Sequence, residues 1–194
     1  MNKGFSLIEA IIGVWLVAIL LLATYSIFIL SQQTKRRLDN RAEITQNERA
    51  VLDRMTRELR QANALVPYPQ APALPSNEIK FEDGHNSLEQ PNNIQYIRYF
   101  LGSGTNNQKL FREIGHYYYS NNPSVKVRYN DSGSGSLVYT VDEGGEGSNQ
   151  SGLIGEYITA LTFSGTDIIT IAITFNKNNQ AINLSTNVTP RNIK

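Results

Sequence analysis

The chain of 194 residues has no cysteine. Disulfides and thiolate metal sites are therefore excluded, and stability has to come from a packed core and hydrogen bonds. It also lacks the marks of catalysis. Its two histidines, His85 and His116, stand in different segments without metal-ligand spacing, and no G-x-S-x-G, Walker A or dinucleotide glycine pattern occurs. No enzyme activity is expected. Charge of one sign is lacking too: 18 Lys and Arg face 17 Asp and Glu, for a net +1. No global field recruits nucleic acid or an acidic partner. Finally, no proline precedes Pro67, so nothing forces a break in a helix before that point.

What is present is uneven. Phe5 to Leu30 is a run of 26 residues in which only Glu9 is charged. As a helix it spans ~39 Å, more than the ~30 Å hydrocarbon core of a bilayer. A cleaved secretory signal has a shorter apolar stretch, followed by a small-x-small site. No such site occurs before Ser31, so the run reads as a retained membrane helix. Gly13 is its one glycine, which membrane helices tolerate.

The absence of proline predicts one helix of ~60 residues. Ser31 to Ala50 is polar nearly all round, with Lys35, Arg36, Arg37, Asp39, Arg41, Glu43, Glu48 and Arg49. From Leu52 the pattern turns amphipathic: Leu52, Met55, Leu59, Ala62 and Val66 recur at three and four and call for an apolar surface beneath them. Arg54–Glu58 and Asp53–Arg57 read as i,i+4 pairs on other faces, each adding a few tenths of a kcal/mol. The four prolines of VPYPQAPALP (66–75) then end the helix.

Period-two patterns follow. EIKFE (78–82) is a strand. IQYIRYFL (94–101) and QKLFREI (108–114) flank GSGTNN as a first hairpin. VKVRY (125–129) and LVYTV (137–141) flank NDSGSGS as a second, and EYITALTF (156–163) and DIITIAITF (167–175) flank SGT as a third. NKNNQ turns into a last strand, AINLST, and DEGGEGSNQSG (142–152) is a loop. The expected fold is α+β, a long N-terminal helix packed on an antiparallel β-sheet head. Its parts are residues 1–4 as a leader, 5–30 as a membrane helix, 31–66 as its amphipathic continuation and 67–194 as the head.

The stretch GFSLIEA (4–10) raises the question of why a membrane-length run carries an acid. The Gly4–Phe5 bond at the membrane edge is small and accessible. Cut there, the chain begins at Phe5 and gains an α-amine that is largely protonated near neutral pH. Glu9 is then i+4 from that cation, at the helix end where the dipole favours an acid. An acid within a bilayer costs ~2.5–3.5 kcal/mol even on lenient scales. A shallow position lowers that cost, and so does an amine, whether its own or that of a neighbouring copy. Pairing with a neighbour makes Glu9 a register pin for bundled helices.

Gly4-Phe5-Ser6-Leu7-Ile8-Glu9-Ala10, followed by about twenty apolar residues, resembles the class III leader of type IV pilins and type II secretion pseudopilins. The resemblance implies that a prepilin peptidase cuts after Gly4 and methylates Phe5, and that Glu9 meets a neighbour's N-terminus during assembly. It implies a pilin-like fold. It also implies partnership with the other pilins or pseudopilins of a filament and an inner-membrane assembly platform, with the bilayer holding the helix beforehand. A weaker likeness covers ERAVLDRMTRELRQANAL (48–65) and LSTNVTPRN (184–192), which are similar to the larger minor pilins and pseudopilins. No proline stands near Ser26, where major pilins often carry one, and the C-terminal disulfide loop of major pilins is absent. Both features favour a minor pilin or pseudopilin. A four-residue leader is short for the family, which leaves a start upstream of Met1 open.

Lys35, Arg36, Arg37 and Arg41 follow the membrane run, while the leader has only Lys3. The positive-inside bias would put those cations in the cytoplasm. The family places the head outside, and the specificity of the leader motif decides for an extracytoplasmic head, later displayed on an extracellular or periplasmic filament. The expected role is structural. The alternative is a displayed binding module for adhesion, DNA uptake or recognition of a secretion substrate. Nucleic acid is not the expected partner, although the basic segment keeps lipid or DNA contact open. Tyr117, Tyr118 and Tyr119 are adjacent on a strand, so they point to both faces and form no single stacking platform. No cofactor is expected. Asp142, Glu143, Glu146 and Asn149 supply oxygen ligands suited to calcium, but their spacing is not that of an EF-hand.

Overall fold

The computed structural model describes residues 7–66, 77–84, 93–146, 152–165 and 167–191. Among the described residues the helix α1 runs Leu7–Gln61, and ten strands follow. The chain divides into two compact units at Glu43/Ile44.

In the first unit, residues 7–43 are helical and almost wholly exposed. The apolar part, Leu7 to Leu30, contributes nothing to a core within the chain, and its large side chains such as Leu7, Trp15 and Leu22 stand open. Two of its hydroxyls, those of Thr24 and Ser26, are satisfied internally. Thr24 Oγ1 donates to Leu20 O at 3.0 Å and Ser26 Oγ to Leu22 O at 2.9 Å. Bonding back to the preceding turn spares these two hydroxyls from needing water. This helix is long and apolar enough to cross a membrane.

In the second unit, helical residues 44–61 pack on antiparallel sheets. The buried stripe is Ile44, Glu48, Val51, Met55 and Leu59, repeating at four, three, four and four residues, with Ala62 buried just beyond the helix end. The segment to Ala50 is thus not polar all round: the stripe begins at Ile44, earlier than the Leu52 start read from the sequence. Leu52 and Val66 are only partly buried. The helix also ends earlier than expected. Residues 64–65 form a short strand, β1 (Ala64–Leu65), paired with β2 (Glu78–Glu82). Two physical terms favour this ending. Pro67 bars Val66 from helical angles, and Asn63 N and Val66 N find carbonyl partners on Glu82 and Lys80.

β3 (Tyr96–Leu101) pairs with β2 and, across the turn at Gly104–Asn106, with β4 (Leu110–Tyr119), as the first hairpin requires. The second expected hairpin does not form. β5 (Asn122–Val127) and β6 (Leu137–Gly144) both pair with β4 rather than with each other. Residues 113–115 of β4 bond β3 and β6, and residues 117–119 bond β5 and β6. A strand has only two edges, so β3 and β5 share one edge of β4, and β6 takes the other with β7 (Leu153–Gly155). The loop expected from 142 is also shorter, since Asp142 to Gly144 continue β6.

β8 (Ile158–Ser164), β9 (Ile169–Lys177) and β10 (Gln180–Val188) form a three-stranded meander. Asn178 and Asn179 make the β9–β10 turn, with φ of 52° and 63°. Two successive left-handed residues are what a type I′ hairpin demands, and asparagine tolerates that region better than most side chains. β9 alternates cleanly, burying Ile169, Ile171, Ile173 and Phe175. These residues join Met55 and Leu59 of the helix and Phe81 and Tyr99 of the larger sheet in one core. Gly155 is needed for the close approach of β7 to the helix, because a Cβ there would stand 2.7 Å from Val51 Cγ2. The architecture is α+β, a long N-terminal helix on an antiparallel β-sheet head, a pilin-like fold.

Candidate functional site

The residues singled out in the sequence fall in three places. Glu9 lies in the first turn of α1, exposed, within the apolar unit. Gly4 and Phe5 lie outside the described residues. The flanking cations Lys35, Arg36, Arg37 and Arg41 are all exposed on the same helical unit. Their side chains are available to water or to anionic lipid headgroups.

Two acids of the head's acidic segment, Asp142 and Glu146, are engaged by their own neighbours. Asp142 Oδ2 lies 2.8 Å from His116 Nδ1 and 3.8 Å from Lys126 Nζ. Glu146 accepts from Ser103 N at 3.0 Å and from Asn106 Nδ2 at 3.3 Å, and the bond from Ser103 holds its carboxyl below the ordinary glutamate value. Asn149 lies outside the described residues. Among the described residues, no group of three or more His, Asp or Glu is placed to hold a metal ion.

The tyrosines of β4 divide between faces, as alternation requires. Tyr117 packs edge-on against Tyr96 at 4.9 Å and lies tilted against Tyr139 at 4.9 Å. Tyr118 lies beside His116, and Tyr119 accepts a hydrogen bond from Gly133 N. None of them is a free platform for bases or sugars.

Two charged clusters were not foreseen. On one face of the larger sheet, Arg98 bonds Glu78 at 2.5 Å and Glu113 at 3.2 Å. Glu113 is buried and also accepts from the Tyr139 hydroxyl at 3.3 Å. Lys80 sits 3.6 Å above the Tyr139 ring. Burial, then the neighbouring Arg98 guanidinium, holds Lys80 below the usual lysine range. On the opposite face, Glu58 turns inward rather than serving only as the surface partner of Arg54. Its Oε2 accepts from the Tyr99 hydroxyl at 2.5 Å and from Arg112 Nε at 2.9 Å. Burial, and then the Glu58 charge, pushes the Tyr99 hydroxyl well above the usual tyrosine range. This cluster ties helix, β3 and β4 together with charge-assisted bonds. Its only sequence signal is an arginine (Arg112) between Leu110 and Ile114 on one face of its strand.

Glu48 is the other residue that was missed. It is buried in the helical stripe between Ile44 and Val51. Burial raises its carboxyl above the ordinary glutamate value, against a smaller lowering by Arg49.

Comparison with family models, with curated proteins and with solved structures gives no match. The arrangement itself offers two distinct surfaces. One is an apolar helical surface, open on all sides, with an acid near its start. The other is a head with charged clusters that pair internally and a buried apolar core, with Val125, Leu137, Val141 and Ile168 left exposed.

Proposed function

We propose that the chain is a structural subunit, a minor pilin or pseudopilin, of a type IV pilus-like filament. One observation carries the reading: Glu9 stands one turn into an apolar helix that covers none of its surface within the chain, in the sequence context GFSLIEA. A helix of this kind has two stable homes, lipid or a bundle of similar helices. Moving between them changes apolar burial little, so shape and hydrogen bonding decide the association. An acid near the helix start then acts as a selective point, because it is costly wherever an amine fails to meet it.

On this reading prepilin peptidase removes Met1 to Gly4 and methylates Phe5. The chain waits as a single-pass membrane protein with its head outside the cytoplasm, and the assembly platform transfers its helix into the filament axis beside other pilins. Minor status follows from the lack of a helix proline near Ser26 and of cysteine. The experiment is Glu9→Ala, with processing and filament entry measured separately. The expected result is normal trimming and lost incorporation. Wild-type incorporation of the variant would remove Glu9 as the assembly contact.

A further inference from the structure

β10 is the outermost strand of the three-stranded sheet and pairs with β9 on one side only. Among the described residues, no backbone hydrogen bond reaches it from the other side. Such an edge presents N–H and C=O groups ready to pair with another strand. Proteins blunt these edges with short length, charge, proline or bulges. The other edges here carry those devices. β1 has two residues and β7 three. β5 contains Pro123 and Lys126, and its register slips between Tyr118 and Tyr119. β6 contains Asp142 and Glu143. β8 is bulged between Ile158 and Ala160 and lies against β2 and β3. β10 has none of them. Its nine residues pair with β9 without a break, and they include no charge and no proline.

We propose that β10 is a docking edge for β10 of a second copy of this chain, paired antiparallel so that two three-stranded sheets join into one of six strands. Charge selects that occupant. Self-pairing of β10 brings no charge against its own copy, whereas self-pairing of β6 would set Asp142 and Glu143 among their duplicates, which is unfavourable. Parity agrees. About a two-fold at Leu184, Leu184 meets its own copy and Ile182 lies opposite Thr186, all on the side facing the core. Ile182 and Leu184 are only partly buried there, so an added strand covers what the monomer leaves open. On the other side Asn183 lies opposite Ser185 and Ala181 opposite Asn187. Those four are exposed and small, and the next row inward on β9 is Thr170, Ala172 and Thr174, so no bulky side chain crosses the seam. The inference rests on the sheet alone and stands or falls apart from the filament reading.

The test uses the full chain in detergent micelles, followed by light scattering with size-exclusion chromatography. It is expected to dimerise with rising concentration, and Ser185→Lys, which places two like charges at the seam, is expected to abolish the dimer without changing the circular dichroism spectrum. Because the chain has no cysteine, Ala181→Cys, Asn183→Cys, Ser185→Cys and Asn187→Cys, made singly, each carry one thiol. Disulfide yield should peak near the two-fold and fall away from it, with Thr162→Cys on β8 giving no cross-link. A chain that stays monomeric overturns the proposal. So does a dimer that survives Ser185→Lys, which would place association on the apolar helix, or a cross-linking yield no higher on β10 than at Thr162.

Discussion

The two units of this chain use apolar residues in opposite ways. From Ile44 onward, the apolar side chains of helix and sheets are spaced to meet one another, and Met55, Leu59, Phe163 and Phe175 are removed from water by the chain itself. From Leu7 to Leu30 there is no spacing, because every side of the helix is apolar and none is covered. Periodicity is the signature of a surface that must be apolar on one side only. Its loss marks a helix whose whole circumference needs an apolar surrounding. The same contrast separates the carboxylates. Glu58 and Glu113 are held by arginines within the head, while Glu9 lies on the unit that has no core of its own.

The largest effect that would sharpen this contrast comes from paired truncations. Phe163→Ala, at a fully buried position of the head, should lower head stability by about 3–5 kcal/mol. Leu16→Ala, at an exposed position of the apolar helix, should leave head unfolding unchanged. Denaturant melts of both variants in micelles, followed by tyrosine fluorescence, make the check. A head that loses as much from Leu16→Ala as from Phe163→Ala would break the division between the units.

Next in size is Glu58→Ala. Removing it strands the Arg112 guanidinium and the Tyr99 hydroxyl in a largely buried place, at a cost of about 3 kcal/mol. If the cluster is the cause, Glu58→Ala and Arg112→Ala should be far from additive in a double-mutant cycle of denaturant melts. Additive losses would show that the residues act separately.

The smallest effect concerns Glu48 and depends on pH. Its carboxyl is raised by burial above the ordinary glutamate value of 4.5. The folded chain therefore keeps this proton to higher pH than the unfolded chain, and stability falls as pH rises from 4.5 through the raised value. Arg49 is the charged neighbour opposing that shift. Glu48→Gln should melt higher than the parent at neutral pH, and the advantage should shrink as pH falls through the raised value and vanish below 4.5. An advantage that is independent of pH would assign the effect to packing instead.

Much of this fold was legible in sequence because it is local. EIKFE is β2 residue for residue. The hairpins β3–β4, β8–β9 and β9–β10 join neighbours through short turns rich in Gly, Asn, Ser and Thr. What escaped is long-range. β5 and β6 looked like a hairpin because a Gly- and Ser-rich turn separates them, yet each finds a better partner in β4, and nothing in a strand's own residues names the edge it will take. The helix stripe was read eight residues late, from Leu52 rather than Ile44, since Glu48 lies between Ile44 and Val51 and a carboxylate there masks the period. Glu58 looked like a surface residue because Arg54 offered a local partner. Only the fold brings Arg112 and Tyr99 within reach. At the N-terminus the position was reversed: GFSLIEA was legible as chemistry, and the folded chain adds the exposure of the helix that follows it.

The central claim is that the chain is trimmed at Gly4–Phe5 so that its apolar helix can enter a filament with Glu9 meeting an amine. Intact-mass and N-terminal fragment spectrometry of the chain purified from its native membranes tests this most directly. The account predicts a mature chain beginning at N-methylated Phe5. A chain that retains residues through Gly4, with an unmodified Phe5 inside it, would contradict the account.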